Sequence, residues 1–73
     1  MSIWVGKYRS PKRYPSLLEA DRKVYTDETL LATVVMMVLG PHWEVAGSAD
    51  GWILMRQRPP HDDWEWEFTR QPD

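Results

Sequence analysis

Ten consecutive residues, Leu30 to Leu39, contain a single polar side chain, Thr33, and they set the problem the rest of the chain has to solve. Thr26 or Asp27 can cap this segment, Asp27 and Glu28 suit the positive end of a helix dipole, and Gly40-Pro41 stops it. Its valines lower helix propensity, so a buried strand is the rival reading. Length and caps favour a main helix over residues 26–40. A helix apolar almost all round must be covered on more than one side, which demands a sheet plus something else.

The sheet is legible downstream. His42 to Ala46 alternates, with Trp43 and Val45 together, and Gly47-Ser48-Ala49-Asp50-Gly51 reads as a hairpin loop. Trp52 to Arg58 is the return strand, with Trp52, Leu54 and Arg56 on one face and Ile53, Met55 and Gln57 on the other. Pro59-Pro60-His61-Asp62 is a stiff connector. Trp64-Glu65-Trp66-Glu67-Phe68 alternates cleanly, aromatic residues on one face and acids on the other, and residues 70–73 read as a frayed tail.

The N-terminal part is less regular. Ile3 to Tyr8 suits a short strand weakened by Gly6, and Pro11 and Pro15 end it in an extended loop. Ser16-Leu17-Leu18-Glu19 fits a capping box and predicts a helical turn or two from Leu17 to about Lys23, an irregular segment being the alternative. The expected architecture is one α+β domain over residues 1–73. It comprises a three-stranded antiparallel meander (42–69) packed on one main helix (26–40), with an extended basic arm (1–15) lying loose or adding an edge strand.

A chain of 73 residues buries roughly 60% of its unfolded surface, and the core of such a chain alone rarely supplies more than about 3–5 kcal/mol. Five tryptophans (Trp4, Trp43, Trp52, Trp64 and Trp66) are one remedy, and rings in excess of the core become contact anchors. With no cysteine there is no disulfide scaffold, zinc ribbon or thiol nucleophile, which fits a reducing cytoplasmic setting. No signal-peptide pattern and no membrane-crossing run is expected.

No catalytic, metal or cofactor set emerges. His42 and His61 are the only histidines, His61-Asp62-Asp63 reads as a solvated turn, and no phosphate-binding or nucleophile motif is present. The expectation is a protein that is not an enzyme. A small toxin-like ribonuclease working through His42 or His61 is one rival.

Charge is divided unevenly behind the net −2. Residues 1–25 carry six basic and two acidic groups, whereas residues 26–73 carry three basic and nine acidic ones. The arm interleaves Lys7, Arg9, Lys12 and Arg13 with Tyr8 and Tyr14, a pattern that suits phosphates and unpaired bases. The acidic overall balance argues against direct nucleic-acid binding. Asp62, Asp63, Glu65 and Glu67, with Glu44 on a neighbouring strand, could form a negative ladder attracting a basic protein surface, or could pair with Arg56 and Arg58 across strands. Trp4, Tyr8, Arg9, Arg13, Glu44, Asp62, Glu65, Trp66 and Glu67 are the candidate partner-binding residues of a module expected to be monomeric.

In length, lack of cysteine and tryptophan-rich one-helix, three-strand layout, with Met1-Ser2-Ile3-Trp4-Val5-Gly6 and Trp64-Glu65-Trp66-Glu67-Phe68 as the segments that carry it, the chain resembles small phage-encoded regulators of host bacterial RNA polymerase, as found in lytic phage of Xanthomonas. The resemblance implies a non-enzymatic protein of the host-cell cytoplasm that binds the N-terminal region of the polymerase largest subunit. It would block initiation by displacing sigma and promote antitermination.

Overall fold

The computed structural model describes residues 2–10, 23–61 and 63–72, with Arg9 described by its backbone alone. Five strands and one helix follow in the order β1 (Ile3–Arg9), β2 (Lys23–Thr26), α1 (Asp27–Leu39), β3 (Trp43–Ala49), β4 (Trp52–Gln57) and β5 (Glu65–Arg70). The strands form one antiparallel sheet, ordered β2-β1-β5-β4-β3.

The general α+β kind stands, but the three-stranded meander does not. The sheet has five strands, and β1 runs through its interior between β2 and β5 rather than along an edge. Both added pairings join residues distant in sequence, Ile3 with Thr26 and Trp4 with Arg70, so no local pattern betrays them. Lys23, where a short helix was expected to end, begins β2. Residues 17–22 of that expected helix, and residues 11–15 of the arm, lie outside the described residues. Within the described part of the tail, residues 70–71 are pinned rather than frayed: the Arg70 and Gln71 amides donate to the carbonyls of Gly51 and Ile3, both at 2.8 Å.

Helix α1 keeps nearly its expected bounds. Thr26 caps it, accepting from the Thr29 amide while the Thr29 hydroxyl accepts from the Thr26 amide, and the Gly40 amide donates to the Met36 carbonyl at the other end. The β3–β4 hairpin is tighter than a five-residue loop. The strands continue to Ala49 and resume at Trp52, a bulge at Ala46 absorbs the extra residue, and Gly51 takes the positive φ (73°) that the two-residue turn needs.

Register assigns the faces. Trp4, Gly6 and Tyr8 of β1 stand opposite Arg70, Phe68 and Trp66 of β5, and Phe68 and Trp66 stand opposite Ile53 and Met55 of β4. This is the face on which α1 lies, and Trp4, Leu30, Met55 and Phe68 are the buried core there. Gly6 lets the rings close over the sheet: a Cβ on it would lie 2.8 Å from the Tyr25 ring and 2.9 Å from the Phe68 ring, which meet edge to face. The opposite face carries Glu44, Arg56, Glu65, Glu67 and Lys7.

Candidate protein-binding surface

The residues expected to bind a partner do not converge. Trp4, Tyr8 and Trp66 lie on the helix-bearing face of the sheet, and Glu44, Glu65 and Glu67 on the other. Arg13 and Asp62 fall outside the described residues, and Arg9 is placed through its backbone, opposite Glu65.

The rings are taken up by the fold. Trp4 is 9% exposed; its indole donates to Asp27 Oδ1 at 2.8 Å, and the Arg70 guanidinium lies 5.8 Å from its ring centroid. Tyr8 stacks on Trp64 and Trp66, with centroids 4.4 and 4.7 Å away, and Trp66 stacks in turn on Phe68. Each such pair contributes about 0.5–1.5 kcal/mol beyond area burial. Lys23 Nζ lies 5.9 Å from the Trp66 ring, and Trp43 packs partly buried against the core. The Trp52 indole donates to Glu67 Oε2 at 2.9 Å. All five indoles are buried or half-buried.

The acids form no uniform negative strip, because register interleaves them with cations. Glu67 faces Lys7 in the neighbouring strand, and Glu65 stands between Arg9 and Arg56. Arg56 Nε reaches Glu44 Oε1 at 3.3 Å. These rows of alternating sign follow from strand pairing, which charge counting along the sequence cannot see.

At the first turn of α1, Asp27 accepts from the Trp4 indole and, at 3.2 Å, from the Ser2 amide. The indole bond, then the amide bond, holds its carboxyl below the usual range. Burial pushes the Tyr25 hydroxyl up. Among the described residues no cluster of three or more His, Cys, Asp or Glu side chains could hold a metal, and no helix is long and apolar enough to cross a membrane. His42 and His61 are both exposed, and main-chain bonds from the Arg58 amide to the His42 carbonyl and from the His61 amide to the Arg58 carbonyl hold their segments together.

What the fold leaves open is aliphatic. Of the thirteen residues of α1 only Leu30 is buried, with Val34 and Met37 half-buried beside it. The outward half presents Leu31, Val35, Met36, Val38 and Leu39, of which Leu31, Met36 and Leu39 are 66, 72 and 78% exposed. Leu31, Val35 and Val38 share one stripe at the i, i+4, i+7 spacing, flanked by Ala32, Met36 and Leu39. Together they leave roughly 500 Å² of apolar side chain in water, high in the range of about 300–600 Å² for the largest patch on a monomer. A groove of about 260 Å³ lined by Trp4, Asp27, Leu30, Leu31, Val34 and Ile53 runs along one flank. None of these helix positions was among the residues expected to bind, although the all-round apolarity of the segment was their signal. No family model, no curated protein and no solved structure matches this chain.

Proposed function

We propose that this chain is a non-enzymatic protein-binding regulator whose contact surface is the outward half of α1. The observation that supports it is the uninterrupted aliphatic surface of Leu31, Val35, Met36, Val38 and Leu39 on a domain with little interior to spare. Burying such a surface favours association at about 25 cal/mol per Å², before the costs of binding are deducted. The partner we name is bacterial RNA polymerase, on the strength of the resemblance in length, lack of cysteine and tryptophan content, with sigma displacement and antitermination as the regulatory outcome. We favour contact along α1 over the acidic-strip and tryptophan contacts that the sequence suggested, since Trp4, Trp66, Glu44 and Glu67 are engaged within the fold.

Purified polymerase passed over the immobilised protein tests this reading. Retention by the wild type, weakened at least about tenfold by Val35→Glu and not by Val24→Lys on β2, is the expected result. Absence of retention at moderate salt rejects the named partner.

A further inference from the structure

We infer that the outward half of α1 is a two-fold seam, and that in the isolated protein a second copy of this chain covers it. The inference rests on reading that surface as the contact site, and it goes further by naming what occupies the site when no other protein is present.

Three observations lead there. First, the area reaches the threshold: two copies apposed through these patches remove up to roughly 1,000 Å² from water, the level at which specific interfaces begin. Second, the seam requires no polar group to be buried without a partner. From Leu30 to Leu39 the only polar side chain is Thr33, and its hydroxyl donates to the Thr29 carbonyl at 2.7 Å. Third, the charge is wrong for the other common occupants. No lysine or arginine occurs from Asp27 to Met55, and the helix begins with Asp27 and Glu28, so neither a phosphate backbone nor an anionic lipid surface is attracted.

A second copy meets the same constraints from both sides. A two-fold axis through the stripe lays Leu31, Val35 and Val38 of each helix against the other, in an isologous contact that closes at two subunits. An antiparallel crossing puts the two acidic first turns at opposite ends of a helix about 20 Å long, well beyond the roughly 8 Å over which exposed charges interact at physiological salt. Ala32 sits among larger side chains on this surface and leaves a notch for close approach of the partner helix.

Sedimentation velocity of the full chain over a wide concentration range is the test. The expected mass rises from 8.6 kDa to twice that value as concentration increases. Leu31→Glu and, separately, Met36→Lys should each shift the midpoint at least about tenfold towards monomer with unchanged far-ultraviolet dichroism. Val24→Lys, at an exposed position on the sheet face opposite α1, should leave the midpoint where it is. A wild-type chain that stays monomeric throughout overturns the inference, as does a dimer indifferent to both helix variants. If the chain is monomeric while Leu31→Glu still abolishes capture by polymerase, the second copy is refuted and the contact surface stands. Loss of neither mass nor capture in Leu31→Glu refutes both.

Discussion

The indole Nε1 of Trp4 donates to Oδ1 of Asp27 across 2.8 Å, tying an interior strand of the sheet to the first turn of helix α1. Asp27 thereby links N-terminal and central segments that also meet through the β1–β2 pairing and the core. Its carboxylate also suits the positive end of the helix dipole.

This link predicts a pH dependence of definite sign. Asp27 titrates lower in the folded chain than its ordinary value of 3.8, so its contribution to stability is fully present above that value. It is lost as pH falls through the lowered folded value. Urea midpoints followed by tryptophan fluorescence should decline on acidification, and Asp27→Asn should flatten that part of the profile. An unchanged acid limb in the variant would show that the Trp4–Asp27 bond contributes nothing.

Gly6 predicts a steric cost. A methyl group there would press on the Tyr25 and Phe68 rings at 2.8–2.9 Å, and Phe68 is fully buried. Gly6→Ala should destabilise by about 1–3 kcal/mol in chemical denaturation. Gly40→Ala provides the comparison: its φ is −77° and its added Cβ meets carbonyl oxygens at an ordinary 3.5 Å, so it should change stability by about 0.5 kcal/mol or less. Equal costs at the two positions would contradict the packing described.

The two best-defined acids on the sheet face opposite α1 should behave differently. The Glu44–Arg56 pair is well exposed, and Glu44→Ala should cost about 0–1 kcal/mol. Glu67 accepts from the half-buried Trp52 indole, so Glu67→Ala strands a donor and should cost more, about 1–3 kcal/mol. Thermal unfolding of the two variants side by side checks the order.

The helix and the two C-terminal strands could be read from local signals: a cap and a Gly-Pro stop around residues 30–39, and period-two alternation in Trp52–Gln57 and Glu65–Arg70. The N-terminal half of the sheet could not. β2 is four residues long, and Gly6 looks like a flaw in a strand until the rings that pass over it are known. The exposed apolar surface of α1 was half legible. The run from Leu30 to Leu39 demands cover on more than one side, but only the structure shows that the sheet buries Leu30 and leaves Leu31, Met36 and Leu39 in solvent. The expected excess of free aromatic rings was absorbed by the Trp64–Tyr8–Trp66–Phe68 stack, which needs strand register to be seen.

The absence of native cysteine allows burial of the outward half of α1 to be measured at a single labelled position. A single cysteine placed at Val35 on the outward half of α1, and another at exposed Ser48 on β3 as reference, can each carry one fluorescent label. Accessibility of the label to a water-soluble quencher is then followed as protein concentration rises or as polymerase is added. The account predicts that the label at position 35 becomes shielded while the label at position 48 stays accessible. A label at position 35 that remains as open to the quencher as the reference, under both conditions, would contradict it.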